Sequence, residues 1–271
     1  MSLDEGSQEI RICASYSQDP NLLSCFVGAK DQLRDVHSIV ASKIAGVSYE
    51  EFVKMRKSAD PEVSGKADKI RGIAKTCVFG SLYGAMAPKI GESLGIPVEE
   101  AQGYIDAIYS QFSSLTKWKQ GVEQFAERFG YVNVLGGTRR HLRKNLLSDN
   151  SYEQSKALRQ ASNAMIQSAG ANQIKMVMSL LWDSDLFEKY DMQWMFVVHD
   201  EACFSVAAKD AAPVIEQVHK FMTAPFLEGL PSASSIGIGR TFGTLVELGE
   251  VFDAGKIEAT LRDIFEERAA A

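Results

Sequence analysis

In the stretch RGIAKTCVFGSLYG, Arg71, Lys75, Phe79 and Tyr83 recur at every fourth position. That spacing, over a segment otherwise built of small and apolar residues, commits residues 67–84 to an α-helix. Neighbours at i and i+4 share one broad face and drift only about 40° per step. The four side chains then line a stripe roughly 18 Å long. Two cations at one end could hold phosphates, and an aromatic one or two turns later could stack on a base, a lengthwise grip on a nucleoside triphosphate. The same stripe also fits a solvated charge pair followed by core aromatics.

The rest of the chain reads as helices interrupted by short strands. A strand-like stretch, Ile10 to Ala14, opens the chain, and helical segments follow to residue 50. Residues 51–70 are charged and punctuated by Pro61 and Gly65. A helix begins at Pro97, where proline followed by Glu99 and Glu100 makes a good first turn, and runs through Trp118 and Phe125 to about Arg128. GYVNVLGGTRRHL (130–142) reads as a hairpin turning at Gly136-Gly137. Residues 151–182 form one long helix, and QWMFVVHDEACFSV (193–206) forms two short strands around His199, Asp200 and Glu201. Helices from Pro213 to about Phe226 and from Lys256 to Arg268 flank a strand from Leu245 to Leu248. No internal repeat or low-complexity linker separates independent domains.

Three further groups carry chemistry. The acidic pair Asp200-Glu201 at a tight turn suits Mg²⁺, which takes hard oxygen ligands and keeps its own waters, or is an ordinary Asp-containing turn. Arg159, Asn163 and Gln167 recur every four residues and carry donors suited to groove edges and sugar-phosphate, or form a solvent-facing stripe. Asp4, Glu5 and Glu9 gather acid near the start.

With a net charge of −6, a nucleic-acid role needs local basic patches. Arg139, Arg140, Arg143 and Lys144 form one, either a contact for template phosphates or a solvated basic turn. The four cysteines contain no CxxC pair, which argues against a disulfide framework or zinc site and suits a reducing compartment. No apolar run approaches the roughly 20 residues of a membrane span, and no signal-peptide pattern opens the chain, so a cytoplasmic protein without a membrane partner is expected.

Taken together, these motifs resemble the family A DNA polymerases, the group that includes bacterial and phage enzymes. The finger-helix pattern stands here as Arg71, Lys75, Phe79, Tyr83 and Gly84. The His-Asp-Glu palm motif stands as His199, Asp200 and Glu201. The first palm motif is matched more loosely by Asp4-Glu-Gly-Ser-Gln-Glu9-Ile-Arg11, continued by ICASYSQD, with Glu5 where the family has Tyr. Arg159, Asn163 and Gln167, and the hairpin ending in consecutive arginines, follow in the family's order.

The resemblance implies an α+β fold, mostly helical: a palm sheet with an inserted helical fingers subdomain. Residues 1–34 and 149–271 would be palm and 35–148 fingers, with thumb and exonuclease domains absent because only Met1-Ser2-Leu3 precede Asp4. It implies template-directed DNA synthesis from deoxynucleoside triphosphates on primer-template DNA. Asp4 and Asp200 would hold two Mg²⁺ ions and Glu201 would lie near them. Lys75 would contact the α-phosphate side and could protonate pyrophosphate, Arg71 would pair with the γ-phosphate, and His37 would reach the β-phosphate unless it is a surface His at a helix start. Phe79 would pack on the sugar and base, implying rejection of dideoxynucleotides. Tyr83 would stack at the templating position, and Glu9 would block a ribose 2′-hydroxyl, which disfavours an RNA polymerase. Arg159, Asn163, Gln167 and His199 would read the minor groove, and Arg139 and Arg140 would touch the template. A second polypeptide would supply the thumb and remaining palm, pairing along an edge strand that contains Asp4. Alternatives are a catalytically weak nucleic-acid-binding remnant, a truncation or a misassigned start. Exposed apolar sheet would make the chain poorly soluble alone. The GIGRTFG segment has no role in this reading.

Overall fold

The computed structural model describes residues 1–29 and 32–266. The chain is mostly helical with a small antiparallel sheet, an α+β fold. In order, the elements begin with strand β1 (Ser2–Glu5) and helices α1 (Gln8–Ser17), α2 (Pro20–Leu23), α3 (Val36–Ala45), α4 (Tyr49–Arg56), α5 (Pro61–Leu82), α6 (Ala87–Leu94), α7 (Val98–Gln111) and α8 (Ser113–Phe129). Strands β2 (Tyr131–Asn133) and β3 (Arg139–His141) precede α9 (Arg143–Leu146), α10 (Ser151–Trp182) and α11 (Leu186–Lys189). Then come β4 (Met192–Val198), β5 (Glu201–Val206), α12 (Ala211–Met222), β6 (Ser234–Ile238), β7 (Val246–Gly249) and α13 (Ala254–Glu266). The Arg268 end expected for the last helix lies outside the described residues.

Contacts gather the chain into two compact units, residues 13–167 in one, residues 1–12 and those from 168 onward in the other. The second holds the five-stranded sheet, ordered β4-β5-β1-β6-β7, each neighbouring pair antiparallel. One face of this sheet is dry. Leu3, Ala202, Phe204, Ile236, Ile238 and Leu248 are buried there with Val214, Ile215, Val218 and Met222 of α12. Strand β4 forms one sheet edge and leaves Met195, Phe196 and Val198 exposed. A bulge between Trp194 and Phe196 breaks its register, an irregularity that adds local twist and blunts an edge.

Helix starts in the other unit are set by capping. Ser48 and Asp60 each accept a backbone N–H in the first turn of their helices, and Pro61 opens α5. Asp19 is almost wholly buried and serves two helices. One carboxylate oxygen accepts from the N–H of Asn21 and Leu22 in α2 (3.0 and 3.3 Å), the other from Ser114 and Leu115 in α8 (2.9 and 3.4 Å).

Three expectations are corrected. Ile10 to Ala14 is helical, inside α1, not a strand. The helix expected from Pro97 to Arg128 is two, broken at buried Phe112, whose φ of −116° and ψ of 63° leave the helical region. The strand carrying Asp4 is no edge: β1 lies between β5 and β6, with both its hydrogen-bonding sides occupied.

Candidate active site and nucleotide-binding face

Strand β1 and the β4–β5 hairpin bring the acidic residues of one unit together. Asp4 stands opposite Glu201 in the antiparallel register, and the Glu5 N–H donates to the Asp200 carbonyl across 3.3 Å. Val198 pairs with Glu201, so His199 and Asp200 make a two-residue turn. His199 has φ of +56°, a left-handed conformation, and turns of this mirror-image kind suit the strand twist. The Ser2 hydroxyl donates to Glu201 Oε1 and fixes that carboxylate against β1.

Charge is crowded here. Burial, and then the neighbouring Asp200 carboxylate with smaller contributions from Glu201, Glu247 and Glu9, raise Asp4 to about 6. Asp200 is raised too, chiefly by burial. Glu5 is buried, and burial followed by the Asp200 charge lifts it to about 8; its Oε1 has no hydrogen-bond partner. Among the described residues no three His, Cys, Asp or Glu side chains converge as a metal cage. Mg²⁺ does not require one: one or two carboxylates suffice when waters and phosphate oxygens complete the shell. Two mutually repelling, half-buried aspartates fit that cation, because its charge relieves their repulsion.

In the other unit, Arg71, Lys75 and Phe79 lie along α5 and Tyr83 follows as its C-cap, with Lys75 and Tyr83 exposed and Arg71 and Phe79 half-buried. Arg71 is gripped by Asp35: Nε and Nη2 donate to the two carboxylate oxygens at 2.6 and 2.9 Å. Asp35 also caps α3 by accepting from Ser38 N at 3.0 Å. Burial raises Asp35, but the hydrogen bonds from Arg71 and Ser38 and the Arg71 charge outweigh it and hold the group at about 2. His37 is buried rather than at the surface, with its ring centroid 5.7 Å from that of Phe79. Desolvation lowers it to about 4, so the ring is neutral near pH 7.

Arg159 and Asn163 are half-buried on α10 and Gln167 is exposed; Asn163 Oδ1 is buried without a partner. Gly84, at φ of +75°, ends the α5 stripe, and a Cβ there would meet the Arg159 side chain at 3.0 Å. Arg159 thereby lines a recess of about 490 Å³ with Gly84, Met86, Tyr109 and Lys119. Lys119 is buried and donates to the Ser81 carbonyl at 2.9 Å, which ties α8 to the C-terminal end of α5. On the β2–β3 hairpin, Arg139 shares a face with Tyr131 and His141, while Arg140 alternates to the other face opposite Val132.

Asp35, Glu247, Ser2 and Lys119 were not singled out in the sequence. Only Asp35 carried a local signal, an Asp three residues before Ser38 at a helix start.

A family model described as DNA polymerase family A matches residues 1–244. The chain belongs to this family. DNA polymerase I, thermostable, of Thermus aquaticus is 29% identical over 239 residues, covering 88% of this chain and 26% of that protein. DNA polymerase I of Mycobacterium tuberculosis strain H37Rv is 30% identical over 243 residues, with 89% and 25% covered. A solved structure, the POL domain of Pol1 from M. smegmatis in complex with DNA primer-template and dNTP, superposes with a TM-score of 0.72 at 28% identity, over 89% of this chain and 39% of that one. This family A chain thus spans about a quarter of the length of these curated relatives. Among its described residues no helix is long and apolar enough to cross a membrane.

Proposed function

We propose that this chain carries the nucleotidyl-transfer centre of a template-directed DNA polymerase, adding deoxynucleotides to a primer 3′-hydroxyl, with residues 1–34 and 149–271 as palm and 35–148 as fingers. The reading rests above all on one observation: β1 is hydrogen-bonded to the His199–Asp200 hairpin, with Asp4 opposite Glu201. Asp4 and Asp200 would hold two Mg²⁺ ions. Bound there, the metal supplies Lewis-acid stabilisation of the attacking and leaving oxygens. Glu201, tied to Ser2, keeps the hairpin in place beside Asp4 without ligating.

The α5 side chains take the nucleotide. Arg71 offers a guanidinium fork to the γ-phosphate, and Lys75 holds the α-phosphate side and protonates the departing pyrophosphate. His37, neutral at working pH, reaches the β-phosphate as a hydrogen-bonding group rather than a cation. Phe79 packs on sugar and base and disfavours dideoxynucleotides; Tyr83 stacks at the templating position. Glu9 excludes a 2′-hydroxyl. Arg159, Asn163, Gln167 and His199 contact the minor groove, where correct pairs present acceptors at similar positions. A second polypeptide carrying thumb and remaining palm completes the enzyme.

Primer extension with Mg²⁺ tests this, using the chain alone and with a thumb-bearing partner. Extension that is lost in Asp200→Ala supports the reading, and extension only with the partner supports the split arrangement. DNA binding without extension in either mixture overturns the catalytic role.

A further inference from the structure

The β2–β3 hairpin carries a second arrangement that nucleotidyl transfer does not use. Phe129, in the last residue of α8, is exposed, and its ring centroid lies 4.6 Å from Phe125 and 6.3 Å from Tyr131. Tyr131 meets Phe125 edge-on at 5.7 Å and His141, its cross-strand partner, at 6.1 Å. Two guanidiniums lie over these rings, Arg139 at 4.4 Å from the Tyr131 centroid and Arg128 at 5.2 Å from that of Phe129. Rings and planar cations alternate across one surface.

The charge there opposes that of the whole molecule. From residue 128 to 147 the chain has Arg128, Arg139, Arg140, Arg143 and Lys144 and no carboxylate, in a protein of net charge −6. Among the described residues none of these five cations is ion-paired. The geometry is fixed by packing. Val132, Leu142, Ala126 and Ala161 are buried beneath the hairpin, and Gly130, at φ of +77°, turns the chain from α8 into β2. Beside it opens an apolar recess of about 370 Å³ lined by Trp118, Val122, Phe125, Val132 and Met165.

We propose that Phe129, Tyr131, Arg139 and His141 form a stacking platform for the unpaired bases of a single DNA strand, with Arg128, Arg140, Arg143 and Lys144 on its phosphates. Every base has a π-face, so such a surface takes any sequence, and its cations release counterions on binding. Duplex bases are stacked on each other and are not offered. Within the polymerase reading the strand is the unpaired template; the proposal rests on that reading only for this name.

Fluorescence anisotropy of labelled dT12 with the full chain tests it, beside an abasic 12-mer and a 12-base-pair duplex, at two salt concentrations. Phe129 packs on Phe125 and Tyr131, so its alanine variant should melt slightly lower, and the melting temperature of each variant is read beside its binding to confirm folded protein. The Phe129→Ala/His141→Ala protein should bind dT12 about tenfold more weakly. It should bind the abasic strand as wild type does and keep the wild-type salt dependence. Arg128→Ala/Arg139→Ala should lower the salt dependence. His141→Phe should restore binding. Unchanged dT12 affinity in the aromatic double variant overturns the platform, as does an equal loss on the abasic strand or tighter binding of the duplex. Primer extension by the same preparations, alone and with a thumb-bearing partner, is read separately: stacking without extension in either mixture removes the polymerase reading and leaves the platform, and extension without stacking does the reverse.

Discussion

Arg71 holds Asp35 with two of its guanidinium nitrogens, at 2.6 and 2.9 Å. The fork assigned to a γ-phosphate is therefore already satisfied by a carboxylate of the same unit, and an incoming triphosphate competes with it. Asp35→Asn removes the charge while keeping a good helix cap. The expected outcome is severalfold tighter nucleotide binding, measured by equilibrium titration with a non-hydrolysable triphosphate. Weaker binding would mean that Asp35 aims the fork rather than competing for it.

Acid should destabilise the chain through His37. Its folded value is near 4, against 6.5 for the free side chain, so between these values the unfolded chain binds the extra proton. The contribution of His37 is therefore complete above pH 6.5 and falls as pH drops toward 4, by up to about 3 kcal/mol, while the raised Asp4 and Glu5 contribute with the opposite sign, so the effect is read as the difference between wild type and a His37 variant. Asp35 adds a second loss lower down, between 3.8 and about 2. Denaturant unfolding of wild type and His37→Phe at pH 7.5 and 5 checks this; equal pH slopes would rule it out.

Two glycines should behave differently when changed to alanine. A Cβ on Gly239 would lie 2.4 Å from the Thr244 carbonyl oxygen and 2.8 Å from its carbon, backbone atoms that cannot step aside. A Cβ on Gly170 would lie 2.3 Å from Gln8 Oε1, the end of a side chain. In α10 the gain in helix propensity, roughly 1 kcal/mol, offsets part of the overpacking. Gly239→Ala should lower the melting temperature markedly and Gly170→Ala slightly. The reverse order would refute the distinction.

His199 separates backbone from side chain. Its φ of +56° is costly for a residue with a Cβ, and glycine adopts it freely. His199→Gly should melt within about 1 kcal/mol of wild type. If the imidazole contacts the groove, primer extension should nevertheless fall; full activity would assign His199 to the turn alone.

Periodic features were legible in the sequence. The α10 helix, the two hairpins and the four-residue stripe on α5 all follow from local spacing. Helix α1 was misread because Ile10, Ile12, Cys13 and Ala14 are all buried, so no exposed side marks a 3.6-residue period. Strands β1 (SLDE) and β6 (SSIGI) carry little β-propensity; they are strands because each is paired on both sides. The break at Phe112 has no glycine or proline to announce it. The Asp35–Arg71 pair spans 36 positions, and Glu247 joins the Asp4 cluster from the far end of the chain, adjacencies that only the fold creates. GIGRTFG gains a structural reason: Gly239 admits the Thr244 carbonyl at a distance no side chain allows.

The central place of β1 sets an order of assembly. Ser2 pairs with Cys203 on one side and with Gly237 on the other, so β1 waits for partners made about two hundred residues later. On the ribosome, the helices of residues 13–167 emerge and close their short-range contacts first. Leu3 and Asp4 can pair with Ala202 and Glu201 only once β5 has appeared, and with β6 later still, both of them the slowest kind of loop to close. The carboxylates proposed to do the chemistry therefore meet only through a long-range pairing, and a chain stopped before β5 has capped helices but no Asp4–Glu201 register.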